Sequence, residues 1–383
     1  MSNMLIVGAG NIGRGLLGQL AYSSGYRPVF IEASPETAFR LRARGDFTVS
    51  LVAQNTETFR IADYGVLEPA QTLEIEAAVV SSTLAAVAVG GRHLPEAARL
   101  LAPGLGLRTN PLNILVCENW PHAETVLLDA LVVRGVSTDA FSCVRTSVER
   151  MVRGVDGTLD LVGEGGQTLY ADAASWRGPF PDLRGLLFCP DVDALYARKL
   201  YSNNAGHAAL AYLGALAGKT YLHEALELPG VKTCLEDLLT AAGMALCLEY
   251  NFGRAEMRAH LDELIHCRFA NRGLADTVQR VAREPLRKLA RGERLVGLVE
   301  LLARQGLPTR SAACIIAAAL RYQSDADAES LRLREMVARE GAAAVLRNIC
   351  GFGINDEVYR ECLSFYEMTG KAGFIDGFSE NHA

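Results

Sequence analysis

The sequence predicts an α/β amino-terminal domain built on a parallel sheet, followed by an all-helical carboxyl-terminal domain. Three observations carry that expectation. Strand-like apolar runs alternate with amphipathic stretches up to about residue 190, and strand-like runs are lacking from Asp191 onward. The first apolar run, Met4-Leu5-Ile6-Val7, passes directly into Gly8-Ala9-Gly10-Asn11-Ile12-Gly13. We therefore expect two domains, residues 1–190 and 191–383.

The opening turn has the Gly-x-Gly-x-x-Gly spacing, placed where a first strand hands over to a first helix (Leu16, Leu17, Leu20). Gly8 allows a tight turn, Gly10 allows close backbone approach to a pyrophosphate, and Gly13 allows close helix–strand packing. The backbone at Asn11 and Ile12 opens the helix, whose unpaired N–H groups favour an anion. A second strand, Pro28-Val29-Phe30-Ile31, ends in Glu32, which suits ribose hydroxyls and repels a 2′-phosphate. The expectation is a Rossmann-type domain that binds NAD rather than NADP.

Further along, Ser34 is a plausible cap for a helix through Arg44, with Pro35 at its first position. The alternation of Phe47 to Val52 suggests a β-rich insertion. Ala77–Ser82 and Asn113–Cys117 are expected as buried parallel strands, and Pro95–Leu101 and Ala123–Val133 as helices. A polar, glycine-bearing stretch from Val152 to Pro181 breaks the rhythm. Helical periodicity then dominates Ala208–Ala217, Val231–Tyr250, Arg258–Cys267, Leu295–Gln305, Ser311–Tyr322 and Val337–Ile349.

Half of the residues are hydrophobic and the net charge is −6, so no global field favours nucleic acid or an anionic membrane. The 9 cysteines are scattered singly, with no metal-ligand spacing. No metal site, nucleic-acid partner or membrane span is expected; the location expected is cytoplasmic, as monomer or homodimer.

Chemistry is most concentrated in Lys199-Leu200-Tyr201-Ser202-Asn203-Asn204-Ala205-Gly206-His207. On a regular helix of about 100° per residue, Lys199, Asn203 and His207 share a stripe and Asn204 flanks it. A lone lysine or asparagine on a helix usually faces water. Beside a domain junction, where ligand clefts form, the group becomes a catalytic candidate. The basic segment from Arg280 to Arg294 is a candidate phosphate clamp. Arg287 and Lys288 follow Pro285 and are expected near a helix start. A solvated helix face is the alternative for such a basic cluster.

The chain resembles the polyol-specific long-chain dehydrogenase family over nearly its whole length. The matching segments are Gly8–Gly15, Pro111–Ile114, Cys117-Glu118-Asn119, Ser147–Met151, Arg268-Phe269-Ala270-Asn271, and Arg280 through Leu289. Its Lys-(four residues)-Asn-(two residues)-His signature is met by Lys199, Asn204 and His207. The resemblance implies a zinc-independent, NAD-linked exchange between a secondary alcohol and a ketone on a linear sugar alcohol, with a phosphorylated substrate expected. It implies Lys199 as general base, Asn119 and Asn204 as donors to the substrate oxygen, and His207 as a positioning group. Lys199 with Asn203 also resembles a pair found in 6-phosphogluconate and β-hydroxyacid dehydrogenases, so Asn203 stays a candidate substrate contact. An unphosphorylated polyol, a hexuronate, or a non-catalytic NAD sensor are the rival readings.

Three departures lie toward the substrate side. Arg272 stands where the family has proline, Val152-Arg153-Gly154 replaces another proline-bearing stretch, and Asn203-Asn204 replaces an apolar residue followed by asparagine.

Overall fold

The computed structural model describes residues 2–53, 56–120, 122–165 and 169–370. They form two compact units, Met1–Asp193 and Ala194–Ala383.

The first unit opens with β1 (Asn3–Val7), helix α1 (residues 11–23), β2 (Arg27–Ile31) and α2 (Pro35–Arg44). Ser34 caps α2, its Oγ accepting from the Thr37 N–H at 3.2 Å. Next come β3 (Phe47–Val52), β4 (Thr56–Ile61), β5 (Gly65–Leu67), α3 (Thr72–Ser81), β6 (Leu84–Val87), α4 (Leu94–Gly106), β7 (Leu112–Val116) and α5 (Ala123–Val132). The remaining strands are β8 (Phe141–Val148), β9 (Val152–Gly154), β10 (Leu161–Glu164), β11 (Leu169–Asp172) and β12 (Leu186–Cys189).

The main sheet has the order β12-β11-β8-β7-β6-β1-β2-β5. Its pairs are parallel except β8 with β11. From β1 the chain runs outward to β2 on one side and returns to β6 on the other. The carboxyl ends of β1 and β6 therefore flank a topological switch point, where open α/β sheets bind ligands. Successive β1 residues serve both layers. Met4 and Ile6 pack with α1 and α2, whereas Leu5 and Val7 pack with α3, α4 and α5. A second sheet, β4-β3-β10-β9, contains the expected insertion and packs on the α1 side.

One strand expected from sequence is a helix. Ala77–Ser82 lies mostly within α3, and the strand follows it at Leu84–Val87. An apolar run cannot by itself separate a buried strand from a helix. Here Ile75 and Val79, one turn apart, are 1% and 0% exposed, while Val80 is 42% exposed.

The second unit is helical. It contains α6 (residues 192–216, entered from the last residues of the first unit), α7 (Leu222–Leu226), α8 (Pro229–Tyr250), α9 (residues 254–269), α10 (Val278–Ala282) and α11 (Pro285–Lys288). Five more follow: α12 (Val296–Arg304), α13 (Arg310–Leu320), α14 (Ala328–Glu340), α15 (Ala342–Asn348) and α16 (Glu357–Met368). Its core joins α6, α8 and α13, rich in Ala208, Ala209, Ala313 and Ala317, whose small side chains let helices approach closely. The helix expected over Val337–Ile349 is broken at Gly341, whose φ of 83° ends α14 and starts α15. Among the described residues no helix is long and apolar enough to cross a membrane.

Candidate active site

In the first unit the glycine turn is built as its spacing demands. Gly8 has φ of 97°, and its N–H donates to the Ile31 carbonyl at 2.8 Å. A β-carbon there would sit 2.4 Å from the Ala88 oxygen, just past β6. A β-carbon on Gly13 would lie 1.9 Å from the Gly8 carbonyl oxygen, so only glycine lets α1 start so close to the turn. Gly10 differs: a β-carbon would meet nothing within 4 Å, so its backbone is open to an approaching ligand. Asn11 is exposed and Ile12 half-buried at the start of α1. Glu32 stands beyond β2, and its two carboxylate oxygens accept from the Ala9 N–H at 2.9 Å and the Ser34 N–H at 2.7 Å. These residues fit a dinucleotide: open backbone at Gly10, N–H groups at the helix start and an acid beyond β2.

Two buried arginines brace this turn, and sequence reasoning missed both. Arg14 Nε donates to the Ala9 carbonyl at 2.6 Å, and its Nη1 donates to the Leu159 carbonyl. Arg150 Nη1 donates to the Gly15 carbonyl at 3.2 Å and to Gln19 Oε1 at 2.7 Å. Burial lowers the pKa of both, that of Arg150 to about 10. A β-carbon on Gly15 would fall 2.4 Å from Val152 Cγ1, which seats the second sheet against α1.

Asn119 lies exposed beyond β7, two residues after Cys117. Its neighbour Glu118 anchors the loop after β6, Oε1 accepting from the N–H groups of Val89 at 2.7 Å and Gly90 at 2.9 Å. Burial raises the Glu118 pKa, against the pull of those two hydrogen bonds.

In the second unit α6 does not keep α-helical register where the chemistry is concentrated. Lys199–Asn204 forms a widened π turn, closed where the Ala205 N–H reaches the Leu200 carbonyl five residues back. Ser202 Oγ donates to the Arg198 carbonyl at 2.6 Å, a back-bond that loosens regular helix, and the two asparagines are weak helix formers. The widening changes which side chains share a face. In α register Asn204 sits about 140° from Lys199; at roughly 4.4 residues per turn the angle closes to about 50°. Lys199, Asn204 and His207 are all half-buried, whereas Asn203 is 2% exposed. The stripe expected from sequence is thus widened: Asn204 joins it, while Asn203, about 30° to the other side of Lys199 by the same geometry, is its buried member.

The inward face meets α9, whose final stretch, Leu264–Phe269, is itself a π turn. Arg198 pairs with Glu256 at 3.1 Å, and Ser202 Oγ lies 2.9 Å from His260 Nε2. Asn203 fits between Arg268 and His207. The His207 ring meets Phe269 edge to face with centroids 4.8 Å apart, and a β-carbon on Gly206 would be 2.7 Å from Phe269 Cζ. Burial, then the charges of Arg268, Arg280 and Arg294, hold the His207 pKa well below its ordinary value. Burial, Arg198 and Arg268 push His260 down to about 3. Both imidazoles are neutral near pH 7.

Arg287 and Lys288 stand on α11, near a helix start as expected, but the chain supplies the anions itself. Arg287 Nε donates to Glu284 Oε2 at 2.9 Å and Nη1 to Glu293 Oε1 at 3.0 Å. Its backbone N–H is taken by Glu329 Oε2 at 3.0 Å. Lys288 is buried, and its Nζ donates to the Val281 and Arg283 carbonyls. Burial, with Arg294 and Arg287 nearby, lowers its pKa to about 7. Glu284 and Glu293 lie three and six residues from Arg287, whereas Glu329 is 42 residues away and has no local sequence signal.

Comparison with known proteins covers both units. Residues 2–162 match the mannitol dehydrogenase Rossmann domain and residues 191–361 the mannitol dehydrogenase C-terminal domain. The chain is 32% identical over 370 residues to mannitol-1-phosphate 5-dehydrogenase of Bacillus licheniformis, covering 93% of this chain and 97% of that one. It is 32% identical over 359 residues to the Arthrobacter protein of the same name, covering 90% and 92%. In fold it is similar to mannitol 2-dehydrogenase of Pseudomonas fluorescens, solved with NAD and D-mannitol, at a TM-score of 0.78 and 16% identity, covering 100% of this chain and 94% of that one. A D-sorbitol dehydrogenase gives a TM-score of 0.79 at 15% identity, with 98% and 94% covered.

Proposed function

The chain belongs to the mannitol dehydrogenase family, and from that premise we propose that it is an NAD-dependent oxidoreductase interconverting a secondary alcohol and a ketone on a linear sugar alcohol. The observation that carries the reading is the π turn, which puts Lys199 and Asn204 on one half-buried face with His207 one α-turn beyond. The glycine turn and Glu32 support NAD as the cofactor, which when bound accepts the hydride from the alcohol carbon.

Lys199 acts as the general base and takes the hydroxyl proton as the C–H bond breaks. The role requires an unprotonated Nζ, so alcohol oxidation rises with pH. The Asn204 carboxamide donates to the oxygen as negative charge develops on it. A neutral His207 donates a second hydrogen bond and orients the oxygen. Asn119 is a further hydrogen-bond donor in this reading, and Asn119→Ala should lower kcat on the order of 10²-fold.

The names of the relatives above support mannitol 1-phosphate as substrate, with fructose 6-phosphate as product; in that reading Arg287 and Lys288 are the phosphate contacts. A specific observation favours the second reading, an unphosphorylated polyol or a hexuronate: a substrate phosphate would compete with Glu284 and Glu293 for Arg287. Rates of NADH formation on mannitol, mannitol 1-phosphate and mannonate decide between them. Turnover only with the phosphate supports the first reading, and comparable rates without it support the second. NADH binding with no turnover on any of them, or on the matching ketoses, would make the chain a non-catalytic NAD sensor.

A further inference from the structure

Asn203 is almost fully buried, and its carboxamide lies between Arg268 and His207. Its carboxamide has two orientations, and the neighbours select one. An NH2 group toward Arg268 would set donor against donor. With the oxygen toward Arg268, it accepts from Nη1 at 2.8 Å and Nη2 at 3.3 Å, and the NH2 then donates to His207 Nδ1 at 3.2 Å.

A neutral imidazole carries one N–H and one lone pair. If Nδ1 accepts, the proton must reside on Nε2. We propose that Asn203, locked by Arg268, is a positioning residue that fixes His207 as the Nε2–H tautomer and so makes its outer nitrogen a hydrogen-bond donor. The inference rests on the assignment of His207 to the substrate oxygen in the reading above. It adds which nitrogen acts and what sets it.

The electrostatics agree with the geometry. Arg268, Arg280 and Arg294 all disfavour a second proton on the ring, and Phe269 closes one edge of it. The Asn203 backbone carbonyl also draws the His207 pKa upward, and a bond from Nδ1 to it would select an Nδ1 proton. An Nδ1–H would, however, face the carboxamide NH2 as a second donor. A fixed tautomer matters because a ring with its proton on the wrong nitrogen presents a lone pair to an oxygen that is gaining negative charge.

The test is nitrogen NMR of the full-length protein with histidine 15N-labelled and His207 assigned by its replacement, beside steady-state kinetics on the best polyol substrate. Wild-type protein should show His207 as Nε2–H. Asn203→Leu removes the donor, and Asn203→Asp offers Nδ1 an acceptor while keeping a partner for Arg268. The aspartate variant should move the proton to Nδ1 or give an imidazolium. Both variants should lose about 10-fold in kcat, with NADH affinity unchanged and a smaller change in KM. A wild-type His207 with its proton on Nδ1, or an aspartate variant that stays Nε2–H, would overturn the proposal. Should Asn203→Leu fail to fold, Asn203→Asp alone decides through the same two readouts. The tautomer is read without turnover, so a full rate in His207→Ala would remove the substrate role of His207 while leaving the tautomer assignment standing or falling separately.

Discussion

The carbonyl oxygen of Gly8 lies where a β-carbon on Gly13 would come within 1.9 Å of it, whereas Gly10, between them, faces open space. The three glycines of the opening turn therefore answer to different partners. Gly13→Ala should displace the start of α1 and weaken both folding and NADH binding. Gly10→Ala should fold with an unchanged melting temperature and still lose NADH affinity by 10-fold or more, on the order of a lost close approach. Calorimetric titration with NADH beside thermal melts checks the contrast; equal loss of stability in both variants would contradict it.

Glu32 ties Ala9 and Ser34 to the end of β2, and in the proposed reading its negative charge excludes a 2′-phosphate. Replacing it by glutamine keeps one acceptor and a donor but removes the repulsion. We expect NADH affinity to fall about 10-fold and the preference over NADPH to shrink by a similar factor. Competition binding with the two nucleotides measures this, and an unchanged preference would take the selecting role away from Glu32.

Lys199→Ala should lower turnover by 10²–10⁴-fold while NADH binding stays within about twofold of wild type. The alkaline rise in oxidation rate should vanish with it. Asn204→Ala should cost on the order of 10²-fold, because its face is shared with Lys199 through the π turn. Wild-type turnover in either variant rejects the assigned group.

If Arg287 holds a substrate phosphate, Arg287→Ala should raise KM for mannitol 1-phosphate at least 10-fold and leave KM for mannitol unchanged. If its carboxylate partners define its role, both KM values stay within about twofold. The melting temperature then falls, because Glu284 and Glu293 lose their shared cation.

His260 takes up a proton in the unfolded chain at about 6.5 and in the folded protein only near 3. In that window the unfolded state binds more protons, so stability is full above pH 6.5 and falls as the pH drops toward 3. Each such histidine contributes a slope of up to about 1.4 kcal/mol per pH unit. His260→Gln keeps a donor for Ser202 and should flatten the acid side of the stability curve. Urea midpoints at pH 7 and pH 4.5 check it, and an identical pH dependence in the variant refutes it.

Much of this was legible because it is local. The turn from β1 to α1, the cap at Ser34 and the helical second half depend on spacing within a dozen residues, and periodicity reports them directly. α3 was misread because Ala77 to Ser82 is apolar enough for either structure, and only the packing of Ile75 and Val79 on the sheet separates the two.

The sequence by itself determined the dinucleotide turn, the α/β-then-helical order and the Lys199, Asn204 and His207 signature, since each is a pattern of near neighbours. Tertiary structure alone decided that α6 widens at Lys199, that Asn203 turns toward Arg268, and that the Arg287 N–H meets Glu329. The reason is physical: a helix register and a charge's partner are set by what packs against them. Arg268, His260 and Glu329 reach these positions from α9 and α14, across a core whose arrangement no short window of sequence contains.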